Sequence, residues 1–225
     1  MTHATVHVLL FALAAAASPL VLTATFVVIR SDRPRTNGIA FLTGFLIGTT
    51  LGCIVGLIVG QAFVERLDSH DAVESGLTLL LGLALIGAGL RARHTPVRRE
   101  TEGGRGQAIL AGLGHVGPAA AFSMAGLLGF GGPKRLVLTL LAMAAVSEAT
   151  IGDVASLSLV AVYIGVATIL VSVPVGIVVI AGERAAAILA KGQSWLTANA
   201  AELRVWLSLG IGLALCADAL VRLIA

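Results

Sequence analysis

Residues 118–147 read PAAAFSMAGLLGFGGPKRLVLTLLAMAAVS, and the fold of the whole chain turns on what this stretch does. It is apolar throughout, yet its middle holds Gly129, Gly131, Gly132 and Pro133, followed at once by Lys134 and Arg135. Proline removes a backbone donor and clashes with the preceding turn, and glycine lowers the cost of leaving helical geometry. The stretch therefore predicts a discontinuous helix. Inside a bilayer, unwound backbone is tolerated only where protein or a water-lined cavity satisfies its polar groups, so the break points to a cavity.

Composition places this stretch in a membrane. Hydrophobic residues make up 57% of the 225 residues and charged ones 12%, more apolar surface than a soluble domain of this size hides. The mean hydropathy is +0.99. A helical span needs roughly 20 apolar residues, which leaves room for about six spans and no separate soluble domain. The expected fold is an all-α polytopic bundle with spans near 6–29, 38–60, 75–90, 118–147, 155–181 and 205–224. The first apolar run reads as a span and not as a secretory leader, because no Lys or Arg precedes it and it continues past Pro19 to Ile29.

The loops alternate in charge. Segment 30–37 carries Arg30, Arg33 and Arg35 against Asp32, whereas 61–74 carries Arg66 against Glu65, Asp68, Asp71 and Glu74. Segment 91–107 is again basic, 148–154 holds only Glu148 and Asp153, and 182–204 returns to a basic excess. Cytoplasmic loops retain Lys and Arg, so the three basic segments are expected inside a plasma membrane and both chain ends outside. The parity constrains residues 108–147, which are too long for one simple span. Two crossings there would invert everything that follows, so the expectation is an interfacial or re-entrant piece at 108–117 and then one broken crossing.

The chain reads as one integral domain, 1–225, made of two three-helix repeats, 1–90 and 118–225, joined by a cytoplasmic loop and interfacial segment at 91–117. Each repeat opens with a span carrying proline among small residues, Ser18-Pro19 and Gly132-Pro133, and an odd number of crossings makes the halves inverted. Paired interrupted helices at corresponding positions of inverted halves point to a substrate site near the midplane. The alternative is that such prolines are kinks without a site. Lys134 carries the most weight, since an ammonium within a span is costly and the half-helix after Pro133 favours negative charge. Against this, Lys134 and Arg135 snorkel to the interface if the span begins near Leu136. Asp218 is the carboxylate of the last span, able to pair with Lys134 or carry a proton, or else to form a solvated pair with Arg222. The candidate substrate-binding set is thus Ser18, Pro19, Gly132, Pro133, Lys134 and Asp218.

Other features read more simply. Hydroxyls at Thr23, Thr25, Thr49, Thr50, Ser123, Thr139, Thr168 and Ser172 line a polar path or, more ordinarily, bond to their own helix backbone. Gly44, Gly48 and Gly52 at four-residue spacing fit close helix packing. Residues 183–204, with Trp195, read as an amphipathic stretch at the inner surface. His115, Cys53 and Cys216 have no ligand-like neighbours in sequence and are expected to be structural.

Four short segments carry a family resemblance: Ala17-Ser18-Pro19-Leu20-Val21, Arg33-Pro34-Arg35-Thr36-Asn37-Gly38, Phe41-Leu42-Thr43-Gly44-Phe45 and Gly132-Pro133-Lys134-Arg135-Leu136. Together they resemble the glycolipid-addressing (GAP, or sulfolipid-addressing) family of the lysine-exporter superfamily, across nearly the whole chain. The family's fourth span opens with Asn-Pro-Lys, and here Gly132 stands where asparagine is usual. The resemblance implies participation in moving cell-envelope lipid toward the surface, with membrane lipids as partners, and a homo-oligomer or a larger export machinery as further partners.

The competing classes are an exporter of amino acids or small amphiphiles by proton antiport, a non-transporting scaffold for lipid export, and a membrane thiol-disulfide carrier. The last is disfavoured because Cys53 and Cys216 lie away from both prolines in sequence. No hydrolytic set, metal-binding motif or cofactor signature stands out, and no feature calls for nucleic acid; the expected function is not enzymatic.

Overall fold

The computed structural model describes residues 2–16, 18–67, 117–149 and 152–182, together with scattered positions at 83, 87, 90, 185, 189 and between 199 and 216. Six helices are described along their length: α1 (Thr2–Ala16), α2 (Pro19–Ile29), α3 (Pro34–Leu67), α4 (Pro118–Phe130), α5 (Pro133–Glu148) and α6 (Asp153–Ala181). No strand occurs among the described residues. The third and sixth predicted spans fall largely outside them, although Leu83, Gly87 and Leu90 in one, and Val205, Trp206, Leu209 and Cys216 in the other, are helical. Asp218 and most of 108–117 lie outside the described residues.

Proline sets the helix starts. Pro19, Pro34, Pro118 and Pro133 each occupy the first position of a helix, where the missing donor costs nothing and the fixed φ is already helical. Among the described residues, two stretches are long and apolar enough to cross a membrane as single helices, 26 residues of α3 (Pro34–Val59) and all 29 of α6. At 1.5 Å per residue α6 is about 44 Å long, more than the hydrocarbon core requires. The other two candidate spans are bent pairs, α1 with α2 and α4 with α5, each turning by 58° at its break. The outer faces of the long helices fit lipid contact: Ile47, Leu51, Ile54 and Ile58 on α3, and Leu157, Ile169, Val173 and Ile180 on α6, are exposed.

Glycine contacts fix the relative directions. A Cβ added at Gly44 would strike the backbone of Phe122, one at Gly48 that of Gly126, and one at Gly129 that of Phe45, so α3 and α4 touch main chain to main chain. Farther along, Gly52 faces Phe130 and Thr139, and Gly56 faces Met143. The α4–α5 pair therefore advances beside α3 in the same direction, through its break and beyond. The chain thus does not turn back on itself at this break. The four-residue glycine spacing read as close packing is this seam.

The last long helix, α6, runs the other way. Tyr163 meets Thr139, Ala167 meets Arg135, Val175 lies against Gly38, and Arg35 packs over Gly182. Consequently the start of α3, the start of α4 and the end of α6 share one end of the bundle; the first and last of these adjoin the basic segments 30–37 and 182–204 in the chain. At the 30–37 turn, Ser31 Oγ donates to the Val28 carbonyl at 2.7 Å and accepts from Asn37 Nδ2 at 2.8 Å, closing α2 onto α3.

The buried side chains form two clusters stacked along the bundle. Nearer the basic end, Val21, Ala24, Phe41, Phe45, Ala125, Val171 and Val175 join α2, α3, α4 and α6. Beyond the breaks, Val8, Phe11, Ala12, Cys53, Leu138, Met143 and Tyr163 join α1, α3, α5 and α6. Each broken span thus contributes one half to each cluster. The two clusters meet at the level of the breaks.

Candidate functional site

The first break is short. Helix α1 ends at Ala16, Ser18 is extended (φ −106°, ψ 110°) and α2 begins at Pro19. The Ser18 amide turns back to the Ala16 carbonyl at 2.7 Å, and the Ser18 hydroxyl makes no capping bond to α2. The last carbonyls of a helix have no intrahelical partner, so α1 presents a partial negative charge at this joint.

The second break is built from glycine. Gly131 closes α4 with φ +111°, a conformation that L side chains rarely adopt, while its amide donates to the Leu127 carbonyl at 3.1 Å. Gly132 is extended (φ −74°, ψ 173°) and nothing lies within 4 Å of where its Cβ would sit. The glycine standing where the resembled family has asparagine is therefore not forced by crowding. Having no side chain, Gly132 offers the first amides of α5 no capping oxygen.

Arg135 fills the space between the two breaks. It lies in the first turn of α5 on the face that also carries Leu138, Thr139, Ala142 and Val146, and it is only 7% exposed. Its Nη1 donates to the carbonyl of Ala15 in the last turn of α1 at 3.3 Å. Its Nη2 donates to Thr49 Oγ1 on α3 at 3.2 Å and to the Ala167 carbonyl on α6 at 3.4 Å. The guanidinium carbon stands 4.6 Å from the centre of the Phe45 ring. A cation at the C-terminal end of α1 is favoured by the helix dipole, and the ring adds a cation–π contact. These neutral partners only partly offset the desolvation of a full charge. None of them is a carboxylate, and Nε has no acceptor among the described residues.

Two hydroxyls support the arginine. Thr49 Oγ1 donates to the Phe45 carbonyl at 2.8 Å and approaches the Gly129 carbonyl at 3.4 Å while accepting from Arg135. Thr139 Oγ1 donates to the Arg135 carbonyl at 2.9 Å, so the Tyr163 hydroxyl 2.8 Å away acts as the donor to Thr139. Tyr163, the single tyrosine of the chain, is fully buried. Most hydroxyls of the predicted polar path take the ordinary course: Thr25, Thr50, Ser123, Thr168 and Ser172 bond to carbonyls of their own helices. Thr49 and Thr139 make the same kind of bond and in addition accept from another helix, Thr49 from the Arg135 side chain and Thr139 from Tyr163.

Of the residues singled out from sequence, Ser18 and Pro19 form the first joint, and Gly132 and Pro133 the second. The two joints come together through Arg135 and Ala15. Lys134 is the second residue of α5, and its side chain lies outside the described residues. The sequence reading brings in Arg135 only through the alternative in which it snorkels beside Lys134, and the structure instead buries its side chain among α1, α3 and α6. The helical phase set by Pro133 is the available signal, since it places Arg135 in line with Leu138, Thr139 and Ala142. Cys53, far from either proline in sequence, packs in the cluster just beyond the breaks.

These features are those of a helical protein with apolar helices suited to a membrane, in which two bent helix pairs close around a buried arginine. A family model described as Sap, sulfolipid-1-addressing protein, matches residues 8–221, and the chain belongs to that family. No curated protein and no solved structure matches it.

Proposed function

We propose that this protein is a membrane transporter or export accessory that moves or addresses cell-envelope glycolipid toward the cell surface, with the polar part of its substrate held where the two breaks meet. One observation carries the reading: a side chain from the second break hydrogen-bonds the backbone at the first. A bilayer penalises unpaired backbone and charge, so the convergence of two interrupted segments supports reading a site there over two unrelated kinks. The family's description as a lipid-addressing one supports the substrate class. The same reading groups the protein with the lysine-exporter superfamily as two inverted repeats in the plasma membrane, the basic end facing the cytosol and the termini outside. Ser18, Pro19, Gly132, Pro133, Lys134 and Asp218 are the surroundings of the substrate in this scheme.

The test is complementation. A strain lacking the protein is supplied with wild-type or Arg135→Gln protein, and glycolipid extracted from the cell surface is compared with that retained inside. Loss of surface lipid at normal membrane levels of the variant supports the reading; undiminished display removes the breaks from the function. Reconstituted protein that moves no lipid, in a strain whose display still needs it, assigns the scaffold role instead.

A further inference from the structure

Resting on that reading, we propose that Arg135 binds an oxyanion, the headgroup of an anionic amphiphile, and that the ligand takes the guanidinium away from the carbonyls on which it now rests. Four observations converge. The side chain is more than nine-tenths buried, yet its partners among the described residues are two carbonyls, a hydroxyl and a ring, and no carboxylate. Its Nε–H has no acceptor among the described residues. Its three hydrogen bonds span 3.2–3.4 Å, longer than the 2.7–2.9 Å typical of charge-assisted ones. It stands in the first turn of a 16-residue helix whose N-cap, Gly132, supplies no side-chain oxygen. A planar guanidinium matches sulfate, phosphate or carboxylate in a two-pronged grip that the present partners do not provide. The dipole of α5 favours the same sign of charge.

Occupation has a structural consequence. The Arg135–Ala15 bond joins the second half of one interrupted span to the first half of the other, so an anion that captures the guanidinium unties the two breaks. An empty site is a fastened one. Binding energy from the headgroup is thereby converted into freedom of α1 relative to α5, as a ligand with different affinity for two states requires.

The experiment uses the purified full chain in neutral detergent. Binding of phosphatidylglycerol and of a sulfated galactolipid is compared with that of phosphatidylcholine, each with brominated chains that quench the protein's tryptophan fluorescence. In parallel, nitroxide labels at the exposed positions Leu13 on α1 and Val137 on α5, in a chain whose two cysteines are replaced by alanine, report the distance between the breaks. The anionic lipids should bind about tenfold tighter or more, the value of one hydrogen-bonded charge, and should lengthen or broaden the label distance while phosphatidylcholine does not. Arg135→Gln should abolish the preference and the response, and Arg135→Lys should retain part of the preference. Equal binding of both lipid classes, or a preference that survives Arg135→Gln, overturns the proposal. Should Arg135→Gln fail to fold, Thr49→Val removes one competing acceptor and should tighten anionic binding; no gain there overturns it as well. If the lipids bind equally while Arg135→Gln still abolishes surface display, the anion assignment fails and the export reading stands. If anionic lipids bind through Arg135 while Arg135→Gln leaves display untouched, the anion site stands and the export reading fails.

Discussion

The two breaks bend their spans by the same 58° and each restarts its helix with proline, yet they are chemically opposite. The first is a tight joint that ends in helix carbonyls and contributes no charged side chain. The second is a glycine joint followed by cations. One supplies acceptors and the other supplies the donor, and Arg135 joins them. The same bend, reached by different backbone conformations, has thus been given complementary electrostatics, so that the interruptions answer one another across the bundle.

Removing the donor breaks this complementarity most severely. Arg135→Met should abolish surface display while leaving thermal stability in detergent unchanged or higher, because an apolar residue of similar length removes the desolvation cost of a buried charge that neutral partners only partly offset. A large loss of Tm in this variant would reassign Arg135 to a structural role. Next comes Gly131→Ala, which places a Cβ on a residue at φ +111° and within 3.0 Å of the Arg135 Cβ; chemical denaturation should report about 1–2 kcal/mol of lost stability. A neutral result would show that the second joint relaxes freely. Thr139→Val leaves the Tyr163 hydroxyl without its acceptor and should cost about 1–2 kcal/mol in the same measurement. The smallest effect is expected at the other joint: Ser18→Ala, whose hydroxyl caps nothing, should stay within about 0.5 kcal/mol, and a cost near that of a true helix cap would mean the first break is held by its side chain after all.

Much of the fold was legible because membrane helices carry their determinants locally. The apolar runs 38–60 and 155–181 lie within α3 and α6, and the Gly131-Gly132-Pro133 step announced a break without any knowledge of its neighbours. Loop charge went further, since the alternation of basic and acidic segments led to the expectation of one broken crossing over 118–147, and the glycine seam has α4 and α5 running beside α3 in one direction. The site was less legible. Lys134 and Arg135 are equivalent in composition, and what separates them is the helical phase that points the arginine at Ala15, Thr49 and Ala167. Those partners are separated from Arg135 by 120, 86 and 32 positions in the chain, and two of the three are backbone carbonyls, which every residue possesses and no motif can flag. Tyr163 escaped for the same reason: a lone tyrosine in an apolar helix declares its importance only when Thr139 is beside it.

The glycine seam decides which parts of the molecule have latitude. Where Gly44, Gly48 and Gly129 let α3 and α4 touch main chain to main chain, no side chain remains to repack, so those helices behave as a fixed jamb. Any swing that opens the centre then belongs to α1 and α2, hung on the narrow hinge at Ser18, and the door moves while its frame stays still.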